Sequence, residues 1–226
     1  MVQFSTTPRS KQEADATASY RRFAGGFALG HVVLMLAAFS FEGVAAAEHG
    51  IAPSRLVDIY GGASVGRALG AGYVEALSFL VLMPAIVLVA WLFSQRTTGG
   101  RLAAQTFAAL GIGYVASTLA VGFAPGAAAL YAAHHGGDPS AIAIVSDIRN
   151  FGHVLQVAMS AAMALAIGIA ALLQRLHTRW IGWGGVAVGG VGLLATPLAH
   201  NAVSMLWLVW WIGLAVVLLR RNIPRV

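Results

Sequence analysis

The chain has 226 residues, 58% of them hydrophobic and only 10% charged, with a mean hydropathy of +0.77. A water-soluble domain carries about a quarter charged residues, so the composition excludes an ordinary soluble globule and points to one polytopic, all-α membrane domain. Cysteine is absent, which excludes disulfides, thiolate metal sites and cysteine nucleophiles, and the net charge of +6 lies beside apolar segments rather than in a nucleic-acid-binding patch.

The first 22 residues are polar and end in Arg21 and Arg22. They are too long for the basic region of a cleavable signal. Residues 1–22 are therefore predicted to be a flexible cytoplasmic tail, with a short interfacial helix as the alternative, and 23–226 a transmembrane domain whose first helix is an uncleaved anchor. Six segments are long and apolar enough to cross a bilayer: 23–46, 70–94, 102–123, 143–174, 180–199 and 201–219. Between the first two, "PSRLVDIYGG" predicts a short interfacial helix from Ser54 and then a glycine turn. Pro84 is predicted to kink the second span. After the third, "PGAAALYAAHHGGDPS" predicts a short helix before the Gly-Gly-Asp-Pro break. The fifth has Gly185 and Gly189 four residues apart, a spacing that lets helix backbones approach closely. "TPLAHNA" is short enough to make the last two spans a tight hairpin.

The basic residues follow this count. Arg9, Lys11, Arg21, Arg22, Arg96, Arg101, Arg175, Arg179, Arg220, Arg221 and Arg225 fall on one side of six spans. Only Arg55, Arg67 and Arg149 fall on the other, which predicts that both termini are cytoplasmic.

The fourth span is polar along one edge. At 100° per residue, Ser146, Arg149, Asn150, His153, Gln156 and Ser160 share an arc of about 120° and run for about 20 Å, with Asp147 beside them. Hydrocarbon offers such groups no partners, so the stripe must face protein or water, leaving Ile148, Leu155, Ala162 and Ile169 to lipid. Other spans supply matching pieces. His31 and Glu42 sit three turns apart on one face of the first, and Glu75 and Ser78 share a face of the second. Tyr114, Ser117 and Thr118 follow in the third, and His200 heads the sixth above Ser204, Trp207 and Trp211.

Together these predict an outward-facing polar cavity in the outer half of the membrane. Glu75, Glu42, His153 and Asp147 are the candidate catalytic, proton-transferring groups. Arg149, Asn150, Gln156, His31, His200, Trp207 and Trp211 are the candidate ligand-binding residues, with tryptophans on one wall. The structural alternative pairs Arg149 with Glu75 or Glu42 and leaves the other polar groups as glue between helices.

Metal is not assigned. Glu42, Glu75, His153 and His200 are suitable ligand types, but no paired His or His-Glu spacing places two of them on one helix. Only His153 and His200 suit a bis-histidine haem. His134, His135 and Asp138 read as a solvated loop cluster. "GASVG" at 62–66 matches a nucleophile-elbow pattern, which needs a strand that an all-helical chain does not offer. Lys11 is the only lysine, so no Schiff base can form inside the membrane, and no phosphate-binding loop is present.

From about residue 70 the chain resembles a bacterial family of small six-helix membrane proteins classed only as a domain of unknown function. The resemblance lies in "ALYAAHHGGDPSAIAIVSDIRNFGHVL" and in "LLQRLHTRWIGWGGVAVGGVGLLATPLA". It implies the six-helix architecture and brings no activity, cofactor or site residue. The functional expectation is binding, with or without transformation, of a hydrophobic or amphipathic small molecule at a bacterial inner membrane, with lipids as partners. Alternatives are an accessory subunit of a membrane complex or a homo-oligomer, an acid-catalysed isomerase or cyclase, and a metal- or haem-binding membrane protein.

Overall fold

The computed structural model describes residues 11–41, 51–174 and 179–220, with the side chains of 11–14 outside that set. The elements are α1 (Lys11–Phe41), α2 (Pro53–Gly61), α3 (Val65–Leu92), α4 (Thr98–Ser117), a π-helical segment (Thr118–Phe123), α5 (Ala124–His134), α6 (Pro139–Leu173) and α7 (Arg179–Leu219). No strand occurs among the described residues. Among the described residues, five helical runs are long and apolar enough to cross a membrane. The protein is an all-α, multi-pass membrane bundle.

The last of the five runs supplies two of the six expected spans. Pro197 removes a backbone donor inside α7, and Ala199 leaves helical geometry at φ −145°, ψ 41°. The chain then folds back on itself. A Cβ at Gly213 would lie 3.4 Å from the Trp180 ring, and one at Gly192 would lie 3.1 Å from Val203. Residues 179–198 and 200–219 are thus antiparallel arms of about 30 Å each, the thickness of the hydrocarbon core.

One end of the bundle gathers the basic residues. Tyr20 meets Trp91 edge-on at 5.4 Å, Gly99 abuts Leu173, and Gly25 packs on Ala215, Leu218 and Leu219. The start of α1, the α3–α4 turn, the end of α6 and both ends of α7 therefore lie together. Arg21, Arg22, Arg96, Arg101, Arg179 and Arg220 all belong to this end. Trp91, Trp180 and Trp183 are exposed beside it, in the manner of interfacial anchors.

α1 begins earlier than expected. "KQEADATASYRR" is rich in Ala, Glu, Gln and Lys, good helix formers, so most of the expected tail continues the first transmembrane helix. Residues 1–10 lie outside the described set. The two short helices stand where they were expected, as α2 and α5. Ser64 of the "GASVG" match caps α3, accepting from the Arg67 backbone N–H, so its hydroxyl has a structural task.

The core is a stack of Val32, Leu82, Ile86, Phe107, Met163, Ile167, Trp211 and Leu214. α6 and the first arm of α7 meet backbone to backbone. A Cβ at Gly185 would lie 2.7 Å from the Ala164 carbonyl oxygen, and one at Gly168 would lie 2.6 Å from the Val186 nitrogen. The glycine-rich span is a packing helix.

A second, smaller core sits at the end of the bundle opposite Arg21, Arg96, Arg179 and Arg220. Leu56 and Tyr60 of α2, Ala129 and Leu130 of α5, and Ile142 of α6 form it. At 1.5 Å per residue α6 is about 52 Å long, well beyond a hydrocarbon core of about 30 Å. Its first turns, beyond the length that a hydrocarbon core needs, carry this cap. Asp138 starts α6 by accepting from the Ser140 and Ala141 N–H groups. Asp138→Ala is expected to cost about 1 kcal/mol, read as a lower melting temperature in detergent.

Candidate functional site

The polar stripe of α6 faces inward. Ser146, Gln156 and Ser160 are buried, whereas Ile148, Leu155 and Ile169 are exposed on the opposite face. Beneath the cap the stripe forms one wall of a cavity of about 700 Å³. Arg149, Asn150, His153 and Gln156 come from α6, and His200, Asn201, Ser204 and Met205 from the second arm of α7. Glu75, Gly72 and Leu69 come from α3, and Thr118, Gly122 and Phe123 from the π-helical segment. Gly126 and Leu130 of α5, Ala38 and Phe39 of α1, and Tyr60 of α2 also contribute to the lining.

Depth follows from helix rise. Counted from the basic end, Glu75 stands about 26 Å along α3, His200 about 29 Å along α7, His153 about 30 Å and Arg149 about 36 Å along α6. A hydrocarbon core of about 30 Å measured from the basic end would reach to about this level of the helices.

The π-helical segment shapes one wall. Widening the turn changes the carbonyl pairing at the end of α4, and the Gln156 side-chain amide donates to the Ser117 carbonyl at 3.2 Å. Two glycines make room for the wider turn. A Cβ at Gly152 would collide with Val121, and one at Gly72 would lie 2.7 Å from the Phe123 ring. Gln156→Leu is expected to destabilise the protein by about 1–3 kcal/mol by stranding that carbonyl, measurable as a lowered melting temperature.

Arg149 lies along the backbone of α5, where a Cβ at Gly126 would sit 3.3 Å from its Cδ and Nε. The neighbouring Asn150 Nδ2 is buried and has no hydrogen-bond partner. The His153 ring meets the His200 ring edge-on at 5.4 Å and shares a hydrogen bond with the Asn201 side chain. The wall therefore presents a cation, an amide donor and two imidazoles, with the Glu75 carboxyl across from them on α3. Such a set can hold an anionic or hydrogen-bond-accepting group and exchange protons with it.

Several expected residues lie elsewhere. His31 is fully buried below the cavity, its Nδ1–H donating to the Ser78 carbonyl at 3.1 Å between Phe79 and Trp211. Trp207 and Trp211 belong to the core and do not line the cavity, because their face of α7 meets α1, α3 and α4. The expected tryptophan wall is corrected accordingly. Asp147 is exposed at the edge of the stripe and is also outside the lining. Glu42 lies outside the described residues. The loop trio has separate tasks: His134 donates from Nε2 to the Ala63 carbonyl, His135 from Nδ1 to the Tyr131 carbonyl, and Asp138 caps α6. Among the described residues, no three histidine, aspartate or glutamate side chains gather at one point.

The structure adds Asn201, Gly122 and Gly126 and places the expected Thr118 in the lining. Asn201 directly follows His200, so the pair "HN" at the hairpin tip was a usable signal. Gly126 had none, because its role depends on how α5 lies against α6. No family model, curated protein or solved structure matches this chain.

Proposed function

We propose that the chain is a plasma-membrane protein of bacterial type, with both termini cytoplasmic, whose outward-facing cavity binds a hydrophobic or amphipathic small molecule. One observation carries this reading. Polar side chains from three transmembrane helices converge on about 700 Å³ of space at the end of the bundle away from the basic residues, within the range of small-molecule sites. Burying such groups is costly, and a purely structural stripe would be closed by its own hydrogen bonds. Gln156 and Ser146 do fit that closed description, through Ser117 and Tyr60. Asn150 does not, because its amide donor is still without a partner. In this reading Arg149 holds the negative or polar end of the ligand, Asn150 donates to it, and Glu75 and His153 are placed to pass a proton to or from it. Excess basic residues at the opposite end support the assigned orientation.

Native mass spectrometry of the detergent-purified protein tests the proposal. A bound small molecule of constant mass, lost from Arg149→Gln and Asn150→Leu variants that stay folded, is the expected result. A folded wild-type protein that carries no adduct and takes none up from an added extract of membrane lipids contradicts it.

A further inference from the structure

The cavity has a side as well as a roof. α1 and the second arm of α7 run antiparallel, with Gly25 packed on Ala215, Leu218 and Leu219 and the His31 ring 6.4 Å from that of Trp211. Continuing this register outward sets Ala38 and Phe39 level with Ser204 and Met205. All four line the cavity. Yet Phe39 is 41% exposed and Met205 47% exposed, so these two side chains belong both to the cavity wall and to the outer, lipid-facing surface. Among the described residues the main neighbours of α1 are α3 and α7, and α6 makes no comparable contact with α1.

We propose that this seam is a lateral portal to the bilayer and that the ligand is an anionic, chain-bearing lipid of the outer leaflet. The inference rests on the cavity reading above and deepens it. Arg149 and the unpartnered Asn150 amide sit at headgroup depth and select an acceptor-rich anion, a carboxylate or a phosphate. Phe39 and Met205 flank the exit for the chain. Met is a flexible, polarizable side chain that can adapt to an acyl chain passing beside it. About 700 Å³ holds a head and the first part of a chain, and the remainder stays in the surrounding lipid at no desolvation cost.

The chain contains no cysteine, so a portal can be bridged cleanly. Phe39→Cys/Met205→Cys protein in phosphatidylcholine nanodiscs is treated with a short bis-maleimide and offered oleate, lysophosphatidate, uncharged monoolein, acetate or inorganic phosphate, with binding followed by native mass spectrometry. Oleate or lysophosphatidate should bind at least tenfold more tightly than monoolein, and the bridge should slow uptake at least tenfold relative to the same variant left unbridged. If the double variant does not fold, Met205→Trp narrows the gap from one side, and the same slowing relative to wild type is expected. Unchanged uptake on bridging or narrowing overturns the portal, as does failure of the reagent to span the two positions. Acetate or phosphate binding as tightly as its chain-bearing counterpart would mean a site for soluble anions and overturns the lipid assignment. No binding of any of the five overturns the cavity reading itself, an outcome distinct from binding that ignores the bridge.

Discussion

Arg149→Gln is expected to weaken binding of an anionic ligand by about ten- to a hundredfold. A hydrogen bond to a charged group contributes about 1.5–3 kcal/mol, and each 1.4 kcal/mol is a factor of ten. Glutamine keeps a donor but loses the charge and the forked geometry. The neighbouring glycine gives an independent way to the same result. Gly126→Leu leaves the guanidinium chemically intact but fills the space along α5 where Arg149 now lies. It should lower binding with little change in melting temperature, because the displaced group is the end of a flexible side chain. The competing structural role has its own signature. If Arg149→Gln and Glu75→Gln each unfold the protein in detergent and the double variant folds again, the two residues act as a structural pair rather than as a ligand site.

Gly189→Val should have the largest effect on folding. A Cβ at this position would run into the backbone nitrogen of Leu165 and lie 2.6 Å from the Ala161 carbonyl oxygen. Backbone atoms of α6 cannot move aside without opening the whole seam. Overpacking of a fitted core typically costs about 1–3 kcal/mol. A backbone clash with no flexible neighbour to give way belongs at or above the top of that range, so folded yield in detergent should collapse. Gly184 and Gly190, turned away from that seam on the same helix, have nothing within 4 Å. Gly184→Ala and Gly190→Ala should leave the melting temperature unchanged or raise it slightly, since alanine favours helix by about 1 kcal/mol over glycine. The contrast between the two faces, rather than either number, separates a packing seam from a general intolerance of substitution.

What the sequence revealed was whatever periodicity and solvation determine. The inward turn of Arg149, Asn150, His153 and Gln156 follows from 100° per residue and from the refusal of hydrocarbon to hydrogen-bond. The hairpin at 197–199 follows from a proline and a connection too short for anything else. The basic end follows from where the arginines fall between spans. What stayed hidden depends on which helix lies beside which. Trp207 and Trp211 share a face with Ser204, yet successive turns of that face pass from the cavity into the core as α7 descends between α1 and α4. His31 reads as a functional group on a lone helix but is satisfied on one side by the Ser78 carbonyl of α3. The π-helical segment carries no composition cue. It is recognisable only from Gly72 and Gly152, small residues on two other helices that leave room for it.

The proposed cavity requires the hydrophilic edge of α6 to look into a water-reachable space on the side of the membrane away from the basic end. Single-cysteine substitution at Ile148, Asn150, His153 and Leu155, in this naturally cysteine-free chain, with a membrane-impermeant maleimide added to one side of sealed vesicles, tests it directly. Positions 150 and 153 should react from the side opposite the termini and be protected by a bound anionic lipid, while 148 and 155 stay unreactive in hydrocarbon. Reaction at 148 and 155 with silence at 150 and 153, or reaction of 150 and 153 from the side of the termini, would contradict it.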